Sequence, residues 1–444
     1  MKILRPLRHR DFAFLTAGLV VSLIGDGLYL VAVAWQVYDL SNTPSALALV
    51  GLAWSVGLAL FLLTGGVASD RFDRRRVMIG ADVLRALALV TIGLLSVTGE
   101  LEIWHLTVLV VFYAAGEAFF GPALSAITPD LVGGDDGPGG SDAVVEANAM
   151  TESTRQACRL FLGPAIGGLV VATAGPATAF LVDAGTFVFS AVMIALIRTP
   201  SRGEVTDEER TSVAAELREG LAYVRSQRWI WVTVIASALF TLFYWGPVQV
   251  LLPYIVRNDL DGGPGTFGLV LAADGVGSVL AAVVVSQRGL PRRFMLVLAC
   301  VWSICSLPLL GYGLATSAWQ LMVLGVFHGL LITTGLVIWS ALEQTRVPRE
   351  LRARVMSVVW FAGTALAPVS FALTGPAAAA LGASATLIIA GIIPTIVTTA
   401  LMLVFRIDRE DPPPVEDAED DPLVVLGGPA SPIDELEAAP GARV

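Results

Sequence analysis

Apolar stretches of 18 to 26 residues recur along almost the whole chain, each broken by a short polar turn. A helix rises about 1.5 Å per residue, so each stretch can cross roughly 30 Å of hydrocarbon. Open strands of this composition would leave backbone groups unpaired in lipid, so the pattern predicts helices. The spans fall at 12–37, 44–68, 77–98, 104–125, 147–173, 176–197, 229–256, 265–286, 294–315, 317–341, 353–376 and 384–405. The chain is therefore expected to be an all-α membrane protein with twelve transmembrane helices. Its start, "MKILRPLRHRDFAFLTAGLVV", has the basic flank of a signal peptide. The apolar run nevertheless continues past Asp26 to about Val37 without a small-residue cleavage pattern, which predicts a retained first span.

Composition agrees with this pattern. The 444 residues are 55% hydrophobic and 15% charged, with a mean hydropathy of +0.74, too little polar surface to cover a soluble globule. The net charge of −10 owes much to the tail after Arg406, "DREDPPPVEDAEDDP", which reads as a disordered acidic extension over 407–444. The arginines are dispersed among short loops rather than gathered on one face, so nucleic acid is not an expected partner. Cys158, Cys300 and Cys305 lie inside apolar spans without metal-ligand spacing and read as packing residues. No metal or cofactor is expected.

The short loops set the orientation. Arg71, Arg74, Arg75, Arg76, Arg198, Arg202, Arg288, Arg292, Arg293, Arg346, Arg349 and Arg352 fall on the side of the N-terminus, and the opposite loops hold only Arg257. Both termini are thus expected in the cytoplasm. The acidic loop 129–142 dissents, although acids count little in this rule. Between the sixth and seventh spans, Val213, Leu217, Leu221 and Val224 recur at helical spacing, which predicts an amphipathic helix along the cytoplasmic membrane face.

The two halves resemble each other. "SDRFDRRRVMI" (69–79) aligns with "SQRGLPRRFML" (286–296), and "DLSNTPSALALVGLAWSVG" (39–57) aligns without gaps on "DLDGGPGTFGLVLAADGVG" (259–277), both at offsets near 220 residues. A duplicated six-span unit places a binding site between the repeats, near the midplane. The domain plan is then a six-helix bundle over 1–197, a linker over 198–228, a second bundle over 229–406 and the tail.

Twelve spans in two repeated halves, with Gly66, Asp70, Arg71, Arg74 and Arg75 between spans two and three, resemble the major facilitator superfamily over residues 5 to 406. "LGPAIGG" in span five, with Gly163, Pro164, Gly167 and Gly168, is similar to the motif of its drug–proton antiporter branch. "GDGLYLVAVAWQVYDL", "PDLV" leading to "ANAM", and "ELREGLAYVR" resemble the macrolide and siderophore exporters. The chain departs from the pattern in three places. Asp73 stands where relatives usually have Gly, Arg159 replaces the first glycine of the span-five motif, and Glu117 stands in span four where an arginine is often found. The resemblance implies that the Asp70 cluster latches the halves together on the cytoplasmic side, against span eleven.

Several residues carry candidate chemistry. Asp26 lies near the midplane of span one, where inserting an aspartate costs about 2.5–3.5 kcal/mol unless it faces a cavity or a partner. Glu117 has a similar depth, and Arg159 sits four residues from Arg155 on one face of span five. These three are the candidates for proton coupling or substrate contact, packing ion pairs being the alternative. Asp70 is expected to accept from Arg74 or Arg75. Asp82 and Arg85, three apart, read as a local ion pair. His328 alone in span ten reads first as a packing residue and second as a proton relay. Asp183 and Asp274 also lie within spans. Gly246-Pro247 and Ala367-Pro368 are expected to bend spans seven and eleven.

The sequence offers no phosphate-binding Gly-rich loop with a following Lys, its one lysine being Lys2, and no nucleophile–base constellation. It points to a non-enzymatic, monomeric secondary exporter that exchanges inward-moving protons for a small hydrophobic or amphiphilic molecule. An uptake symporter on the same fold, or a non-transporting scaffold, stays open as an alternative.

Overall fold

The structure, a computed structural model, describes residues 2–133, 140–199, 213–288, 291 and 293–407. The acidic tail from 408 onward, the middle of the acidic loop (134–139) and most of the polar linker (200–212) lie outside the described residues. Helices α1 (Arg10–Leu40), α2 (Pro44–Arg71), α3 (Arg74–Thr98) and α4 (Ile103–Val132) lead into α5 (Gly140–Arg155), which continues through a π-helical segment, Gln156–Leu162, into α6 (Gly163–Ala195). After the linker helix α7 (Val213–Ser226), α8 (Arg228–Gly246) passes through a second π-helical segment, Pro247–Leu251, into α9 (Leu252–Asn258). Then follow α10 (Pro264–Arg288), α11 (Phe294–Ile304), α12 (Leu307–Leu314), α13 (Ala318–Arg346), α14 (Arg349–Thr364), α15 (Ala367–Leu381) and α16 (Ala383–Val404).

Eleven helical segments among the described residues are long and apolar enough to cross a membrane. One of them, Ala143–Ala195, has 53 residues, about 80 Å of helix and far more than one bilayer. It breaks at Gly175, whose φ of 81° suits a residue without Cβ, and Pro176 then bars the helix from continuing backward. Two crossings meet there, giving twelve. The predicted bends are present: α8 gives way to π-helical geometry at Gly246-Pro247, and α14 stops at Thr364 before α15 starts at Ala367. In each case proline removes an intrahelical donor. The apolar exterior fits a lipid solvent, with Leu60, Leu63 and Val67 in one row of α2 and Leu63 79% exposed.

Each half is a bundle: α1 packs along α6 and α2 along α4 in the first, α10 along α13 and α12 along α16 in the second. The apolar cores show how the bundles meet. One core is continuous across both, joining Val37, Tyr38, Leu47 and Val50 to Val250, Leu251, Ile255 and Phe267. All of these lie toward the helix ends remote from the arginine-rich loops. On the arginine-rich side the core splits, one part around Phe12, Leu15, Met78 and Ile127, the other around Trp229, Met295, Leu342 and Val355. The bundles therefore touch at one face and separate toward the other.

Polar contacts follow the same division. Tyr38 donates its hydroxyl to the Val250 carbonyl at 2.6 Å, Arg257 pairs with Asp39 at 2.6 Å and lies over Trp35, and the side chains of Asn42 and Asn258 bond to each other in both directions. Arg257, the lone arginine of the remote loops, thus ties one bundle to the other.

The linker helix makes contacts with the second bundle. Gly220 abuts the backbone of Arg354, Glu219 pairs with the Arg354 guanidinium, and Val224 is buried among Trp229 and its neighbours. Val224 is thus spent on the protein, whereas Leu221 is exposed; the Val213 and Leu217 side chains lie outside the described residues. If the remote face is closed as described, an Asn42→Cys/Asn258→Cys chain will be cross-linked within one molecule by a short bifunctional thiol reagent. Gel mobility reads the product, and the single variants are expected to give none.

Candidate functional site

Asp26, Glu117 and Arg159 come together around one cavity lined by the N-terminal bundle. Leu19, Ser22, Phe120, Leu124, Arg85 and Arg155 complete much of its wall. Leu19 and Ser22 precede Asp26 on α1, while Leu124 follows Glu117 on α4, which runs the opposite way. The cavity therefore extends from mid-depth toward the arginine-rich face.

Glu117 is held from two sides: Arg159 Nη1 donates to Oε1 at 2.9 Å, and Trp54 Nε1 donates to Oε2 at 3.2 Å. Arg159 reaches it from the π-helical segment Gln156–Leu162. The wider π turn changes the register that α-helical spacing predicts for Arg155 and Arg159, yet both still line the cavity. Asp26 is 6% exposed and accepts from the Tyr113 hydroxyl at 2.6 Å, with Arg85 Nη1 at 3.9 Å from the same oxygen. Tyr113 is placed by its ring stacking on Tyr29, centroids 4.4 Å apart.

Arg85 binds more than the local partner its spacing predicts. Its Nη2 donates to Asp82 at 2.5 Å, its other branch turns to Asp26, and its guanidinium lies over the rings of Phe187 and Phe120, 4.1 and 4.8 Å from their centroids. Planar delocalised charge suits such an aromatic slot better than an ammonium would. Asp183 completes the group from α6. It is wholly buried, accepts from Thr186 Oγ1 at 3.0 Å, and packs so close to Gly25 that a Cβ there would overlap its Oδ1. Two carboxyls, Asp26 and Asp82, thus flank one arginine, and a third, Asp183, lies within its electrostatic reach.

Tyr113 has a signal in the sequence, since it lies four residues before Glu117 on one helix face. Asp183 does not, because only the packing of α6 on α1 brings it to Gly25. His328 also has an undetected partner: its Nδ1 lies 2.5 Å from Asp274 Oδ2.

The two motifs do different work. In "LGPAIGG", a Cβ on Gly163 or Gly167 would overlap the backbone of α1 at Gly27 and Leu28, and one on Gly168 would meet Pro264 and Gly268 of α10. The first two glycines bring α5–α6 against the helix carrying Asp26; the last forms the seam between bundles. In the span-two motif, Asp70 is exposed and does not receive the bonds expected from Arg74 and Arg75. Arg74 turns to Asp130 at 2.8 Å and to the Ala126 carbonyl, and Arg75 donates to the Ala195 carbonyl. The reason is Asp73. It caps α3, accepting from the amides of Arg75 and Arg76, which starts that helix directly after the turn and aims both arginines at α4 and α6. Gly66 meets nothing a Cβ would touch, whereas Gly65 lies against the Ala118 carbonyl. The cluster therefore braces the N-terminal bundle here, and α2 meets the second bundle through α15 rather than along α14.

Twelve crossings in two repeated bundles, the first of which holds a charged cavity, define a membrane transporter of the major facilitator fold. The chain belongs to the transmembrane secretion effector family, whose pattern it matches over residues 2–424. It is similar to the multidrug efflux pump Tap of Mycolicibacterium fortuitum, 29% identical over 395 residues that cover 86% of this chain and 91% of that one. It is also similar to macrolide efflux protein A of Streptococcus pyogenes, 22% identical with 86% and 92% covered. Among solved structures, an inward-facing, unoccupied bacterial homolog of the human lysosomal transporter Spinster superposes with a TM-score of 0.66 at 13% identity, covering 92% of this chain and 98% of that one. The nucleoside transporter NupG gives 0.67 at 9% identity, with 89% and 99% covered.

The geometry makes Arg85 the stabilising centre of the buried network. Arg85→Ala leaves Asp82 without its cation, a change expected to cost about 3–5 kcal/mol, and will lower the thermal midpoint of the purified protein in detergent. Combining Asp82→Asn with Arg85→Gln removes both charges and will recover part of the loss. Equal midpoints for the Arg85→Ala chain and the wild type would contradict this account.

Proposed function

We propose that this protein is a secondary active exporter, carrying a small hydrophobic or amphiphilic molecule outward in exchange for protons moving in. The observation that carries the reading is the buried group of Asp26, Asp82 and Asp183 around Arg85. With every member ionised it would hold two more negative than positive charges, a balance an apolar interior does not sustain. A cluster with surplus carboxyls at the edge of an open cavity is suited to take up protons and give them back. Glu117, held by Arg159 and Trp54, is the second acid of the same cavity and the group nearest to a bound amphiphile. The names of the relatives, a multidrug and a macrolide efflux pump, favour export over uptake.

Orientation follows from the positive-inside rule, so the arginine-rich face is cytoplasmic, as are both termini, in the cell membrane. The described state is then inward-open: its cavity leads to the cytoplasm and the outer ends are sealed by the shared core and the Arg257–Asp39 pair. Asp70, free of Arg74 and Arg75 in this state, is available to the cytoplasmic end of α14 when the inner ends close. The span-two cluster thus acts as a latch of the outward-open state. The working unit is a monomer without a cofactor. Energetically one proton suffices, since a charge crossing about 100 mV releases about 2.3 kcal/mol, roughly a fifty-fold gradient of a neutral solute.

In everted vesicles with an imposed pH gradient, Asp26→Asn is expected to abolish ethidium movement at unchanged protein level, and Asp70→Asn to slow it by about tenfold, near 1.4 kcal/mol in barrier. Undiminished movement in the Asp26→Asn chain would remove that residue from coupling; undiminished movement in the Asp70→Asn chain would remove the latch.

A further inference from the structure

The second bundle holds a polar pair that the preceding reading does not use. His328 of α13 is 3% exposed, and its Nδ1 lies 2.5 Å from Asp274 Oδ2 of α10. The imidazole stacks on the Tyr244 ring, centroids 4.9 Å apart and planes 9° from parallel. Its Nε2 is buried without a hydrogen-bond partner among the described residues. The Asp274 side chain keeps 27% of its surface exposed against 4% for His328, so the pair has an accessible carboxyl end and a sealed imidazole end. Both residues are the eleventh of their helices, about 15 Å from the helix start and thus near mid-depth.

We infer that Asp274 and His328 form a second proton-binding site, in the C-terminal bundle. With the imidazole neutral and the carboxylate ionised, the pair places one uncompensated negative charge in an apolar bundle. Adding one proton, on either partner, brings the pair to zero net charge, and the aromatic face of Tyr244 favours an imidazolium against it. Among the described residues, the other packed elements supply no alternative counter-charge at this depth. Tyr312 of α12 and Tyr244 of α8 lie within electrostatic reach of Asp274, Cys305 lies near Tyr244, and α11 carries no charged residue. Glu343 and Arg346 are more than four turns further along α13. Arg159 and Asp183 of the first bundle are bonded to Glu117 and Thr186.

The position of the pair links it to motion and to the first site. Tyr244 stands two residues before Gly246, where α8 becomes π-helical, and π-helical turns commonly mark functional positions. Gly275, next to Asp274, lies against the backbone of Leu160 and Phe161, in the π-helical segment that carries Arg159. The two halves repeat the arrangement: the gapless alignment of 39–57 on 259–277 sets Asp274 opposite Trp54, which bonds Glu117 of α4 just as Asp274 bonds His328 of α13. One proton site in each bundle, linked through the contact of Gly275 with Leu160 and Phe161, lets loading of both precede closure of the inner ends. The coupling role rests on the exchange mechanism proposed above; the proton site itself does not.

The chain has three histidines, His9, His105 and His328, so full-length protein labelled with 15N-histidine in phosphatidylglycerol nanodiscs gives three sets of imidazole signals, His328 being identified by its loss in His328→Gln. Scanned over about pH 5 to 9, the His328 signal is expected to titrate and its curve to move in Asp274→Asn, with His9 and His105 unmoved. A His328 signal that neither titrates nor shifts with pH, or one that responds identically in Asp274→Asn, overturns the site. In proteoliposomes holding a pH dye, His328→Gln is expected to lower proton-driven ethidium movement by at least about tenfold; unchanged proton release per ethidium overturns the coupling role. A wild type that moves no ethidium against protons sinks the exchange reading instead, and the histidine signal still decides the proton site.

Discussion

A charge in hydrocarbon must find a partner or lose its charge, and the interior of this protein is organised around that requirement. Arg85 lies in a slot between two aromatic rings and divides its guanidinium between Asp82 and Asp26, while Tyr113 donates to the same oxygen of Asp26 that Arg85 approaches. Glu117 is satisfied from two directions, by Arg159 and by Trp54. These side chains come from α1, α2, α3, α4 and the π-helical segment, so satisfying them fixes how five elements sit together. The surplus of carboxyls that remains is the feature on which the proposed proton exchange rests.

The second organising constraint is the unequal contact between the bundles. Near the remote face they share one apolar core and a seam in which Gly168 and Gly268 let α6 and α10 approach to backbone distance. Toward the arginine-rich face each has its own core. Backbone-to-backbone contact tolerates rocking about a line better than interdigitated large side chains do, because few rotamers must change. The bends at Gly246-Pro247 and at the α14–α15 junction add local freedom in the helices that cross near this seam. Both π-helical segments lie beside a polar pair, Arg159–Glu117 in one bundle and Tyr244 with His328 in the other. A protonation event there acts on backbone that already departs from α geometry.

Much of this architecture was legible in the residues. The apolar spans, the break at Gly175-Pro176, the prolines that bend spans seven and eleven and the duplicated unit all follow from local chemistry that any neighbour would leave unchanged. Asp26, Glu117 and Arg159 could be singled out because a charge deep in an apolar span is conspicuous wherever it points. The span-two cluster was the weaker reading. Its composition predicts a bond from Arg74 or Arg75 to Asp70, but Asp73 caps α3 and turns both arginines away to Asp130 and the Ala195 carbonyl. The linker helix is amphipathic by its pattern, and such an apolar face has two acceptable solvents, lipid and protein, between which periodicity does not choose.

The sequence by itself determined what must be buried and in what form: twelve helices, two repeated bundles, a few charges at mid-depth and an arginine-rich face. Span hydrophobicity and loop charge are sums over neighbouring residues, so they survive any rearrangement of the helices. Tertiary structure alone decided which polar groups on different helices meet. Asp183 reaches Gly25 across 158 positions, Glu117 meets Trp54 and Arg159, and Asp274 meets His328, because a hydrogen bond depends on a few tenths of an ångström between helices and on the rotation of each about its axis. Those quantities are set by glycine seams and ring stacks contributed by distant segments, which no local pattern records.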